Sequence, residues 1–157
     1  PATLAALIAH PDWAATDLGC LRACATGSTD VPLPLIEALH ARGLPVIQIY
    51  GATETYGNCA VTDAHDPLEL RLSTQGLPLP GMTIRAVDPQ TRAPLPQGEI
   101  GELAVRGHTT PGYFRAPELD AQAFDAEGWF LTGDLGSIEP DGRVRFRGRL
   151  KEMIKTG

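Results

Sequence analysis

Apolar positions at the start of the chain repeat with a helical period. Leu4, Leu7 and Ile8 share one face of a short helix that Thr3 can cap and Pro11 ends. Leu21 to Thr26 is a short apolar run suited to a buried strand, broken by Gly27-Ser28-Thr29-Asp30. Pro32 opens a second helix with Leu35, Ile36, Leu39 and His40 at helical spacing, and Gly43 is its natural stop. The stretch from Pro45 to Tyr50 is rich in β-branched residues and reads as the next strand. Strand, loop, helix, strand describes a βαβ unit. Residues 1–66 are therefore expected to form part of a parallel α/β sheet subdomain.

After Pro67 the pattern changes. Met82 to Asp88 and Glu102 to Arg106 alternate apolar with polar residues, as half-buried strands do. Turns are expected at Pro89-Gln90-Thr91-Arg92 and Pro96-Gln97-Gly98, and a short helix from Pro117 to Phe124. Leu135 to Glu139 and Arg143 to Arg147 flank Pro140-Asp141-Gly142, a strong hairpin signal. Three Pro-Leu-Pro triplets at unequal spacings are turns rather than a repeat. Residues 67–148 thus predict a small antiparallel β-sheet or distorted β-barrel.

Composition narrows the function. A hydrophobic fraction of 43% over 157 residues is enough to build a packed core, which argues against disorder. The net charge of -6 argues against a nucleic-acid partner, because phosphate neutralisation needs clustered cations. Cys20, Cys24 and Cys59 form no CxxC pair, and the histidines show no ligand spacing, so packed thiols in a reducing compartment are expected rather than disulfides or zinc. No apolar run approaches a membrane span and no signal-peptide pattern opens the chain, which points to a cytoplasmic protein.

Four stretches could carry chemistry. Tyr50-Gly51-Ala52-Thr53-Glu54 follows a predicted parallel strand, and ligands favour the crevice at the carboxyl ends of such strands. Gly51 allows close backbone approach, Thr53 can bond a phosphate, and Glu54 offers hard oxygens to Mg²⁺. Tyr50 offers an aromatic face to a base. The same residues also read as a strand ending in a turn, with Glu54 a solvated charge. In Trp129 to Asp134, a carboxylate after a turn glycine can accept two hydroxyls of a ribose, or serve only the turn. Gly148 to Gly157 carries Arg149, Lys151 and Lys155, cations for a nucleotide or CoA phosphate or simply a solvated face. Thr26 to Asp30 lacks the Walker pattern and is either a backbone recognition loop or a connector.

In series, these stretches resemble the adenylate-forming superfamily of acyl- and aryl-CoA synthetases, peptide-synthetase adenylation domains and firefly-type luciferases. Tyr50 to Glu54 resembles its Tyr-Gly-x-Thr-Glu motif, and Gly133-Asp134 its Thr-Gly-Asp motif. Gly101-Glu102-Leu103, Arg106-Gly107 and Gly112-Tyr113 resemble the intervening segment. Gly148-Arg149-Leu150-Lys151 with Ile154-Lys155 resembles the hinge to a mobile C-terminal domain, which makes 149–157 the hinge segment.

The resemblance implies roles residue by residue. Tyr50 would stack near adenine, Thr53 would touch phosphate, Glu54 would bind Mg²⁺ and Asp134 would hold the ribose hydroxyls. Arg149 would assist at ribose or phosphate, Lys151 would be the pivot, and Lys155 would lie near the thioester-forming arrangement. Ile49, Gly51 and Ala52 would border the acyl pocket. The loop at Thr26 to Asp30 departs from the family's Gly-Gly-Ala-Pro-like version, so Ser28 and Thr29 receive no role. The implied partners are ATP, CoA and a carboxylic acid whose identity stays open, as does the oligomeric state. The chain opens at Pro1 and stops at Gly157 within motif-like sequence, so it reads as a fragment without the family's phosphate loop and C-terminal domain, inactive alone. An adenylation domain serving a carrier protein and a non-catalytic β-rich binding module are the alternative readings.

Overall fold

In the computed structural model, residues 2–27 and 31–152 are described. They form two open four-stranded sheets. In the first, β1 (Cys24–Gly27) pairs parallel with β2 (Val46–Ala52). The crossover between them carries α2 (Leu33–His40), packed beside α1 (Ala2–Ile8). Leu35, Ile36 and Leu39 of α2 are buried with Leu44 and Val46, while His40 is exposed. This is the βαβ unit that the apolar pattern predicts.

The sheet is nonetheless mixed, because β3 (Gly57–Val61) returns antiparallel to β2 and β4 (Leu77–Pro78) pairs antiparallel with β3. The reversal is local. A 3₁₀ turn at Thr53–Thr55 ends on Tyr56 in a left-handed conformation (φ 54°), and the chain doubles back. The Thr55 hydroxyl accepts the Ala52 N–H at 2.9 Å and lies 2.8 Å from Gly57 O, tying both sides of the turn. Gly-Asn-Cys-Ala carries almost no strand signal, so only pairing with β2 makes it a strand. A bulge at Tyr50/Gly51 brings the two strands so close that a Cβ on Gly51 would lie 1.8 Å from Gly57 O. A short helix, α3 (Leu68–Ser73), packs on β2.

The second sheet is an antiparallel meander of β5 (Thr83–Val87), β6 (Gly101–Arg106), β7 (Phe130–Ile138) and β8 (Val144–Arg149). It is an open sheet rather than a closed barrel. The helix α4 (Pro117–Ala123) interrupts the path from β6 to β7. The change from one sheet to the other falls between Pro78 and Thr83.

One core joins the sheets. Tyr50, Cys59 and Ala60 of the first pack with Ile84, Leu103, Val105 and Val144 of the second. Backbone bonds reinforce it: Gln75 N–H donates to Val144 O and Val144 N–H to Gly76 O, both at 2.8 Å. An ion pair between Asp66 and Arg143 (2.6 Å) spans the same seam. Burial on this scale, with these backbone bonds and the ion pair across the seam, fixes the end of β2 relative to β7 and β8.

Candidate functional site

The tip of the β2–β3 hairpin and the facing ends of β7 and β8 border a cleft of about 780 Å³. Gly51, Ala52, Thr53 and Glu54 line one side, and Thr132 and Arg149 the other. A neighbouring cleft of about 740 Å³ shares Thr132 and Arg149 and extends to Glu102 and Lys151. Folding has therefore brought together three sequence-distant stretches: the Tyr-Gly-Ala-Thr-Glu segment, the Thr-Gly-Asp segment and the start of the basic C-terminal run.

Thr53 is exposed at the hairpin tip, and Glu54 beside it is half-buried. One carboxylate oxygen of Glu54 accepts the phenol of Tyr113 at 2.7 Å. That bond, with burial, pushes the Tyr113 phenol up to about 12, because its anion would face a carboxylate. Tyr113 appeared in the sequence only as part of a resembling segment. Its contact with Glu54 spans 59 residues and leaves no trace in local patterning.

Asp134 is 5% exposed, between Tyr50 and Arg149. Its Oδ2 accepts the Tyr50 phenol at 2.9 Å. Arg149 Nη1 stands 2.9 Å from Oδ1, an ion-pair distance, yet its N–H is not aligned for a hydrogen bond and the buried Oδ1 has no donor. Burial raises the Asp134 carboxyl above the usual carboxylate range, opposed by the Tyr50 hydrogen bond and the Arg149 charge. A buried carboxylate oxygen without a donor suits a ligand hydroxyl. Arg149, with a side chain 55% exposed, donates to Thr132 O at 3.3 Å and places its positive charge at the mouth of the cleft.

Tyr50 itself does not line the cleft. Its ring is 8% exposed and packs against Phe146 with centroids 6.2 Å apart, so its link to the site is the hydroxyl. Burial and the Asp134 charge push that phenol well above its ordinary value, so it acts as a donor. Ile49 is half-buried and lies outside the lining of both clefts, whereas Gly51 and Ala52 open directly onto one. Lys151 is exposed in a 3₁₀ turn at Leu150–Glu152. Lys155, Ser28 and Thr29 lie outside the described residues.

Among the described residues no group of three or more His, Cys, Asp or Glu converges on a metal site. Among the residues lining the first cleft, Glu54 supplies the carboxylate. This donor set fits Mg²⁺, which keeps several waters and is often held by one carboxylate plus substrate phosphates. No helix among these residues is long and apolar enough to cross a membrane.

The AMP-binding enzyme family matches this chain over residues 1–114. The chain belongs to that family. An indoleacetate–CoA ligase of Aromatoleum aromaticum is 40% identical across the whole of this chain, which spans 30% of that protein. A medium-chain fatty-acid–CoA ligase of Escherichia coli is 38% identical over 90% of the chain and 25% of its own length. Among solved structures, O-succinylbenzoate CoA synthetase from Bacillus subtilis, in complex with ATP and magnesium, superposes with a TM-score of 0.85 at 28% identity. That match covers 99% of this chain and 32% of the other. ATP-bound MatB from Rhodopseudomonas palustris gives 0.85 at 31% identity, covering 98% and 30%. The chain therefore spans less than a third of the length of these AMP-binding relatives, which are acyl-CoA ligases or structural neighbours of the same adenylate-forming kind.

Proposed function

We propose that this chain is the part of an ATP-dependent acyl-CoA synthetase that binds nucleotide between its two sheets. The reaction is carboxylic acid plus ATP and CoA to acyl-CoA, AMP and pyrophosphate, through an acyl-adenylate. The carrying observation is the placement of Glu54, Thr53 and Arg149 around one cleft, beside a buried Asp134 oxygen that lacks a donor.

In this reading, Asp134 accepts the ribose hydroxyls and Tyr50 holds its carboxylate through the phenol, its buried ring standing away from the cleft rather than near adenine. Thr53 donates its hydroxyl to a phosphate oxygen, and Arg149 supplies positive charge near ribose or phosphate. Mg²⁺ bound at Glu54 would neutralise charge developing on the phosphates. The acid's carboxylate attacks the α-phosphorus and pyrophosphate leaves. The CoA thiol then displaces AMP from the acyl carbon. Gly51 and Ala52 border the acyl group beside β2, Ala52 being small and Gly51 letting β3 pass close behind. Lys151 is the pivot of the rearrangement between half-reactions, with Lys155 beyond it. The names of the ligase relatives support CoA as acceptor. Because the chain spans under a third of those relatives, the 157 residues alone are expected not to turn over.

ATP–pyrophosphate exchange on a full-length protein carrying this segment, against aliphatic and aromatic acids, tests the reading. Acid-dependent exchange that Glu54→Ala abolishes is the expected result. A well-folded protein that exchanges with no acid would instead point to a non-catalytic binding module.

A further inference from the structure

Glu54 is gripped by more than its own turn. The loop joining β6 to α4, residues 107–116, lies against the hairpin tip and bonds Glu54 twice. The Thr110 N–H donates to Glu54 O at 2.7 Å, and the Tyr113 phenol donates to Oε1 at 2.7 Å. The loop is itself anchored. The Tyr113 N–H donates to Asp120 Oδ1 at 2.7 Å, on α4. Gly112, at φ 150°, passes so near the same carboxylate that a Cβ there would sit 2.7 Å from Asp120 Oδ2. The phenol is therefore presented from a loop whose backbone is set on both sides of it.

A glutamate at the tip of a turn would ordinarily sample several rotamers, and ordering it costs free energy when a cation binds. A bond to one carboxylate oxygen selects a rotamer in advance and leaves Oε2 for a ligand. We propose that Tyr113 is a positioning residue that pre-orients Glu54 for the Mg²⁺ of bound nucleotide. This rests on the reading of Glu54 as the metal ligand. Tyr113 does not touch the metal; it acts through the carboxylate it holds.

The test uses a full-length protein carrying this segment, with Mn²⁺ as a spectroscopic stand-in for Mg²⁺ and free Mn²⁺ followed by electron paramagnetic resonance in the presence of a non-hydrolysable ATP analogue. Tyr113→Phe keeps the ring and the backbone bond to Asp120 and removes only the hydroxyl. Mn²⁺ affinity in the ternary complex is expected to fall about tenfold or more, with the thermal midpoint little changed. Tyr113→Phe added to Glu54→Gln should weaken Mn²⁺ no further than Glu54→Gln alone, because the tyrosine acts only through that carboxylate. Unchanged affinity in Tyr113→Phe, additive losses in the double variant, or a loss that merely follows unfolding would each overturn the proposal. A wild-type protein that binds Mn²⁺ and the analogue no better than Glu54→Gln would sink the metal-ligand reading itself, and the positioning role with it.

Discussion

The phenol of Tyr50 donates to Asp134 Oδ2 at 2.9 Å, a bond between residues 84 positions apart that joins the end of β2 to β7. Both groups are buried, so the bond is made where water cannot replace it. It also sets the orientation of a buried carboxylate whose second oxygen has no hydrogen-bond donor.

Tyr50→Phe should therefore destabilise the protein by about 1–3 kcal/mol, since it leaves a buried carboxylate oxygen unpaired. Urea unfolding measures this directly. A midpoint equal to wild type would mean that the bond contributes nothing net to the seam between the sheets.

Asp134 predicts a pH effect of definite sign. Its carboxyl lies above the ordinary 3.8 because burial outweighs the Tyr50 bond and Arg149. The native state therefore binds this proton more tightly than the unfolded chain does. Between 3.8 and the raised native value, the Asp134 contribution to stability rises as pH falls. The difference in unfolding free energy between wild type and Asp134→Asn should slope accordingly across that window and flatten above it. Nucleotide affinity should move the other way, weakening on acidification as the acceptor is protonated. A difference that stays flat with pH would contradict the assignment.

Gly51→Ala should be disruptive out of proportion to one methyl group. Its Cβ would lie 1.8 Å from the backbone oxygen of Gly57, and backbone cannot rotate away as a side chain can. A loss of about 1–3 kcal/mol is expected, with the hairpin tip displaced. Calorimetry of the variant checks this, and a wild-type melting temperature would show that β3 moves aside freely.

Thiol reactivity should separate the cysteines. Cys59 is fully buried, and desolvation pushes its thiol to about 11, while Cys20 is exposed. Iodoacetamide near pH 8 should label Cys20 and spare Cys59 until the protein unfolds. Peptide mapping that finds Cys59 alkylated in the native protein would refute the packing described for the core between the sheets.

How much of this was written in the sequence varies by element. The helix α2 was legible because Leu35, Ile36 and Leu39 fall on one face between Pro32 and Gly43. The β7–β8 hairpin was legible from Pro140-Asp141-Gly142 between alternating flanks. Both signals are local, and local physics sets turn chemistry and periodicity. The strand β3 was not legible. Gly57 to Ala60 has little strand preference and is ordered by the β2 edge beside it. The two-residue β4 pairs with β3 in turn, and these two antiparallel strands make the first sheet mixed.

The site divides in the same way. The residue types at Thr53, Glu54, Asp134 and Arg149, and their order along the chain, are properties of the sequence, and they sufficed to suggest a nucleotide and a metal. Tertiary structure alone decided that Tyr50 turns its ring into the core and its hydroxyl to Asp134, that Ile49 stands away from the clefts, and that Tyr113 closes onto Glu54. Each of these depends on which side chains meet when two separately patterned sheets pack together. Periodicity reports the face a residue occupies, not its partner on the opposing face.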